Sequence, residues 1–247
     1  MPVLNSKFSG VRFKQFLVAH DMCAMKINTD SIILGSWTKP LDSDCEILDI
    51  GSGSGVLSLM MAQQSAEHAH ITGVETDKKS FEQSIKNSLS TRFNAKIKFV
   101  QSRIQHFYSS QRYHLIISNP PHFQNKSSQH AIADKHLHRM EARSQETLSP
   151  DELLKNVDRL LDASGRFCCV LPTQMIIQFE GLALLYGLYL NKRLDVHSCA
   201  NNISIRSLLE FSYKKHSPAV SSLVIYDTHG SYSEEYRALC HDFYVGF

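Results

Sequence analysis

The chain of 247 residues and 28.0 kDa has the size of one α/β domain, or of such a domain carrying an arm. With 43% hydrophobic and 20% charged residues it has the balance of a soluble globular protein, and no apolar run reaches the ~18 residues of a membrane span. A net charge of +2 with pI ≈ 8.2 excludes a broadly basic surface, so any attraction for nucleic acid has to be local.

The segment Met1 to Lys14 is polar and lacks the apolar core of a signal peptide, which makes the cytoplasm the expected compartment. Residues 1–20 read as an N-terminal arm in which Lys7, Arg12 and Lys14 stand among Phe8, Phe13 and Phe16. Cations there suit phosphate contact and the rings suit base stacking, although a solvated charged surface accounts for the same counts. Thr29-Asp30 reads as a helix N-terminus leading into Ile32, Ile33, Leu34 and Trp37. Strands and helices then alternate: strand 46–50, helix 55–65, strand 70–75, helix 78–90, strands 96–101 and 113–118. The stretch 122–148 is polar, rich in histidine and without a period, and is expected to be a substrate loop. Ser149-Pro-Asp-Glu152 is a helix start with a cap, a proline in the first turn and acids against the dipole. That helix is expected to run to about Ala163, with Gly165 releasing it into strand 166–171. A helix at 174–187 follows, then strands near 189–197, 205–213 and 221–227, the last two read as an antiparallel hairpin around His216-Ser-Pro218. Such alternation describes a single domain over residues 1–247 with a mostly parallel sheet.

Six cysteines show no C-x-x-C pairing and read as reduced thiols. His130, His136 and His138 have no cysteine at ligand spacing, so no metal is expected.

Two segments carry chemistry. Ile47, Leu48 and Ile50 form a strand that runs into Gly51, Gly53 and Gly55, and a helix follows. A strand, a glycine turn and a helix N-terminus let backbone approach a polar cofactor and offer it N–H groups. The spacing is G-x-G-x-G, whereas the dinucleotide fingerprint is G-x-G-x-x-G. Asp49 just before the loop suits a cationic ligand group such as an amino-acid ammonium. Glu75, at the end of the next strand, can accept from both hydroxyls of a ribose. A tight strand–helix turn without ligand is the plainer reading of the glycines alone. The second segment is the strand Tyr113–Ser118 with Asn119, Pro120 and Pro121 at its carboxyl end, the edge where ligands bind in open α/β sheets. A planar amino group needs two acceptors for its two N–H bonds, and Asn119 Oδ1 with the Pro120 carbonyl would supply them. The Asn119 NH₂ could donate to an adjacent ring nitrogen. A strand closed by a stiff turn is the plainer reading here.

Phe13-Lys-Gln-Phe16, Cys23-Ala-Met-Lys-Ile-Asn-Thr-Asp30, Ile33-Leu-Gly-Ser-Trp37, Leu48–Gly55, Leu115–Pro121, Tyr232–Tyr236 and Phe243-Tyr244 span nearly the whole chain. In these segments it resembles the bacterial tRNA(Val) adenine-N6 methyltransferases, which modify the adenine 3′ of the anticodon, position 37. The resemblance implies a Rossmann-like class I fold with a mostly parallel seven-stranded sheet and a C-terminal antiparallel hairpin. It implies S-adenosyl-L-methionine as cofactor and tRNA as partner; a monomer without membrane association is expected. Lys26, Thr29 and Asp30 would lie near the methionine end, Gly51, Gly53 and Gly55 beneath the cofactor, Glu75 on the ribose and Ser102 near the cofactor adenine, with Asp49 and Asn119 also counted among the cofactor-binding residues. Asn119, Pro120 and Pro121 would surround the target amine, with His122 or Phe123 over the base and Arg12, Lys14 and Phe16 on the RNA. The chain departs from the family at His122, where an aromatic such as Tyr is usual, and at Ser102-Arg103, where the family tends to carry Asp. Within enzymes the rival reading is methylation of a protein glutamine amide, because the same acceptors would grip an amide NH₂. Outside them it is a cofactor-binding RNA chaperone without chemistry.

Overall fold

The structure is a computed structural model and describes residues 9–23, 25–120 and 148–247. The expected substrate loop, apart from Leu148, lies outside the described residues, as do Phe8, Pro121, His122, Phe123 and the three clustered histidines.

Strands and helices occur in the order β1 (Gly10–Arg12), β2 (Leu17–Ala19), α1 (Thr29–Trp37), β3 (Glu46–Ile50), α2 (Val56–Gln64), β4 (His70–Glu75), α3 (Lys78–Leu89), β5 (Ile97–Gln101) and β6 (Tyr113–Ser118). The second half holds α4 (Pro150–Leu160), β7 (Leu161–Pro172), α5 (Ile176–Leu185), β8 (Tyr189–Cys199), β9 (Arg206–Ser212), β10 (Ala219–Tyr226) and α6 (Glu234–Cys240). β1 and β2 form a separate antiparallel hairpin, and the other strands form one sheet in the order β10-β8-β9-β7-β6-β3-β4-β5. β9 runs antiparallel to both neighbours, and every other pairing is parallel.

Side chains along a strand alternate between the sheet's faces, and the apolar residues of β3 divide accordingly. Ile47 packs with Val18, Ile33, Leu59, Met60, Tyr236 and Phe243, a core that joins the N-terminal hairpin, α1, α2 and α6. Leu48 and Ile50 pack on the other face with Leu153, Val157, Phe167, Phe179 and Phe211, beneath α4 and α5. Ser149 caps α4 by a reciprocal box with Glu152, and burial of an apolar stripe along α4 adds to that local signal.

The structure corrects two expectations. The C-terminal hairpin is formed by β8 and β9, while β10 crosses to the far side of β8 and runs parallel to it. Burial explains the order: β9 is covered along its central five residues, whereas the first four of β10 are exposed, as suits an edge. The expected mostly parallel sheet is present, and among the described residues it has eight strands, β10 being an additional edge strand. The helix beginning at Pro150 stops at Leu160, where Arg112 donates to the carbonyls of Asp158 (3.2 Å) and Leu161 (3.0 Å) and β7 starts directly.

Phe16 is corrected too. It does not lie open for stacking on a base. It is 6% exposed, its ring 4.8 Å from that of Phe13 and 6.3 Å from that of Phe93. Phe13 and Phe16, read as arm residues, lie in the turn of a β-hairpin and pack onto the core. Among the described residues no helix is long and apolar enough to cross a membrane.

Candidate active site

Strand order reverses between β3 and β6: the chain leaves β3 toward β4 and β5, and leaves β6 toward β7. Diverging connections open a crevice beyond the carboxyl ends at such a point. Gly51 follows β3 and Asn119 follows β6, so the two segments singled out in the sequence meet at this crevice.

Gly51 (φ 75°), Gly53 (φ 53°) and Gly55 (φ 82°) all occupy the left-handed region. Their surroundings differ. A Cβ built on Gly51 or Gly53 would meet nothing within 4 Å, whereas one on Gly55 would stand 2.9 Å from Phe99 Cζ and 3.2 Å from Ser84 Cβ. The first two glycines border open space, and the third lets α2 approach β5 and α3. The loop's own amides are largely engaged: Gly51 and Ser52 donate to the Val74 carbonyl (2.9 and 3.1 Å), Gly55 to that of Ser52 (2.7 Å) and Gly53 to Glu75 Oε2 (2.7 Å). The expectation of N–H groups offered to an anion is therefore not met at these positions. A cradle whose donors are satisfied suits a cofactor without phosphates better than a dinucleotide.

Asp49 lies beneath the loop, fully buried. Its Oδ2 accepts from the Ser58 amide (3.0 Å) and hydroxyl (2.7 Å), tying β3 to the first turn of α2. Among the described residues its buried Oδ1 has no donor. Burial pushes this carboxyl up to about 7, against the two bonds from Ser58 that favour the charged form. An orphan acceptor of this kind fits a cation, and S-adenosylmethionine carries an ammonium and a sulfonium. Glu75 accepts from Gly53 through Oε2 and from the Asp77 amide through Oε1 (2.8 Å). Each oxygen retains a lone pair for a ribose hydroxyl. Ser102 follows β5 and donates its amide to the Glu75 carbonyl (2.9 Å), while its hydroxyl donates to the Arg103 carbonyl (2.9 Å).

On the other side of the crevice, Ser118 Oγ donates to the Ile50 carbonyl (2.8 Å) and locks the end of β6 to that of β3. Asn119 is half-buried and Pro120 buried. The Asn119 amide nitrogen donates to Ser31 Oγ (2.8 Å), in the first turn of α1, so the NH₂ expected to reach a ring nitrogen is directed at the protein. Lys26 and Thr29 are exposed beside that helix start, and Asp30 is paired with Arg206 Nε (3.0 Å) at the head of β9. Asn28 caps α1. Asn28, Ser31 and Arg206 escaped the sequence reading. The first two sit in a recognisable capping pattern, but nothing local marks Arg206.

The RNA-contact candidates lie elsewhere. Lys14 Nζ donates to the carbonyls of His241 (2.6 Å) and Phe247 (2.9 Å), and Asp242 beside them pairs with Lys39, just past the end of α1. Asn119 stands at the other end of that nine-residue helix, a separation of about 13 Å at 1.5 Å per residue. Arg12 is exposed on β1.

A parallel sheet with one antiparallel inner strand, a glycine loop over a buried acid and an asparagine across the switch point define a class I methyltransferase. The small-methyltransferase-domain family matches residues 23–159, which include both segments. Solved methyltransferases share the fold. A predicted O-methyltransferase from Agrobacterium tumefaciens superposes with TM-score 0.62 at 16% identity, covering 87% of this chain and 96% of its own. The CcbJ methyltransferase from Streptomyces caelestis does so with TM-score 0.54 at 11% identity, covering 76% and 90%.

Within that class the chain belongs to the tRNA1(Val) (adenine(37)-N6)-methyltransferase family. It is 40% identical to the member from Pseudoalteromonas translucida over 96% of this chain and 99% of that one. It is 39% identical to the member from Serratia proteamaculans (96% and 90%) and 36% identical to that from Yersinia pestis strain Pestoides F (100% and 97%).

Proposed function

We propose that the protein transfers the methyl group of S-adenosyl-L-methionine to the exocyclic N6 of adenine 37 in valine tRNA. The observation that carries this is the position of Asn119, across the switch point from a glycine cradle with satisfied amides and an orphan carboxylate oxygen. Gly51 and Gly53 would lie under the cofactor, Asp49 would face a positive group and Glu75 would take the ribose hydroxyls. When bound, the cofactor supplies an already activated methyl group, so neither a metal nor a side-chain nucleophile is required.

The chain's own residues act on the acceptor. The N6 lone pair of adenine is delocalised into the ring and is a poor nucleophile. Two acceptors on its hydrogens, Asn119 Oδ1 and the Pro120 carbonyl, would localise the lone pair on N6 against its conjugation with the ring, and one of these hydrogens would leave to solvent as a proton once the methyl is in place. Pro121 removes an N–H that would compete there, and His122 or Phe123 would cover the face of a base taken out of its stack. Alignment supplies the larger share of the acceleration, up to roughly 7–11 kcal/mol in well-oriented reactions. The test is mass spectrometry of nucleosides from tRNA incubated with protein and S-adenosylmethionine. N6-methyladenosine in valine tRNA supports the proposal. Methylation of a glutamine peptide with none in tRNA moves the protein to the rival class.

A further inference from the structure

The mechanism requires the oxygen of Asn119, not its nitrogen, to face the target amine. An asparagine side chain has nearly the same shape either way round, so something must choose the orientation. Asn28 and Ser31 do so. Asn28 Oδ1 accepts from the Ser31 backbone amide at 3.0 Å, and a main-chain N–H can only donate. That contact establishes the atom of Asn28 facing Ser31 as oxygen. Ser31 Oγ lies 3.2 Å from the same oxygen and has one hydrogen, which it gives to Asn28. The hydroxyl is left with lone pairs toward Asn119, 2.8 Å away, and the group that can fill that contact is the NH₂. A reversed Asn119 would set its oxygen against a hydroxyl whose hydrogen is already engaged, and 3.5 Å from the Asn28 oxygen.

Ser31 is 8% exposed, so water does not readily replace its bonds. The turn that carries it is braced on its other side, where Asp30 pairs with Arg206 of β9 at 3.0 Å. Thus one backbone N–H at the start of α1 sets the direction of a chain of hydrogen bonds ending at Asn119.

We infer that Ser31 is a positioning residue for methyl transfer, polarised by Asn28 so that the Asn119 amide presents its oxygen to the adenine amine. This rests on the proposed role of Asn119 and assigns the residue that makes the role possible.

The experiment measures single-turnover methylation of tRNA at saturating cofactor, with cofactor affinity by calorimetry, for Ser31→Ala, Ser31→Cys, Ser31→Thr, Asn119→Ala and the double variant Ser31→Ala/Asn119→Ala. Removing one neutral hydrogen bond should slow transfer roughly 3- to 10-fold. Cofactor affinity should stay within about twofold, since Ser31 is not assigned to the cofactor. Ser31→Cys keeps the shape with a weak donor and acceptor and should show the same loss if Ser31→Ala fails to fold. Ser31→Thr retains the hydroxyl and should recover most of the rate. In the Asn119→Ala background the serine change should cost nothing further, because the residue it orients is gone. Native rates for Ser31→Ala or Ser31→Cys beside a crippled Asn119→Ala overturn the inference and leave the proposed function standing. Additive losses in the double variant overturn it as well. A near-native Asn119→Ala removes the underlying reading itself.

Discussion

The two sides of the crevice are built by opposite means. On the β3 side the site is made by absence: Gly51 and Gly53 leave space, and backbone hydrogen bonds close the loop on itself. On the β6 side it is made by one side chain, Asn119, aimed by a contact 88 residues away in sequence. A backbone cradle needs only local geometry, whereas an aimed amide depends on the packing of α1 against the sheet. Damage to the first side should abolish cofactor binding, and damage to the second should slow chemistry while binding survives.

The glycines give the sharpest break. Gly53→Val places a β-branched side chain in the open cradle and should abolish S-adenosylmethionine binding in calorimetry. Its positive φ adds strain of order 1–3 kcal/mol, so the variant should fold with a lowered midpoint. Gly55→Val should fail differently. A Cβ 2.9 Å from Phe99 adds overpacking to the same strain, so loss of stability should come first. Equal folding and equal cofactor affinity in both variants would erase the distinction between cradle and packing glycine.

Phe16→Ala comes next, with an expected loss of about 3–5 kcal/mol in urea unfolding, the usual cost of emptying a buried aromatic site. If Phe16 instead served RNA, stability would be unchanged and tRNA affinity would fall.

Asp49 makes the cradle sensitive to pH. Its folded value, near 7, stands above the ordinary 3.8 because burial disfavours the charged form. The folded state therefore holds a proton that the unfolded state releases. Stability should fall as pH rises from about 4 to 7 and level off above. Asp49→Asn should flatten that slope. A cationic group at Oδ1 favours the charged carboxylate, so cofactor affinity should rise from pH 6 to 8 in the wild type and not in the variant. The smallest effect belongs to Arg12→Glu, exposed on the hairpin. It should weaken tRNA binding modestly, by an amount that shrinks with added salt, and leave cofactor affinity alone.

Much of the β3 side was legible in the sequence, because its signals are local. The bounds of β3, β4 and β6 coincide with their apolar runs, and the glycine spacing alone argued against a dinucleotide. What escaped depends on contacts distant in sequence. Phenylalanines among lysines look alike in an RNA arm and in a packed hairpin, and only the core against Phe93 and Phe243 separates them. The polar turn at 216–218 marks a reversal of direction but not which strand lies next door, and burial of β9 decided that. Ser31 carries no local signal beyond its place in the first turn of α1, and only the end of β6 beside it gives it a role.

The central claim is that cofactor and target amine are handled by separate sides of one crevice. It is tested most directly by measuring, on the same Asn119→Ala protein, S-adenosylmethionine affinity by calorimetry and the single-turnover rate of N6-methyladenosine formation in valine tRNA. The account predicts affinity within about twofold of native and a rate reduced by about 10²–10³, the range seen when a group acting mainly in the transition state is removed. A native rate, or a rate lost only in proportion to lost cofactor affinity, would contradict it.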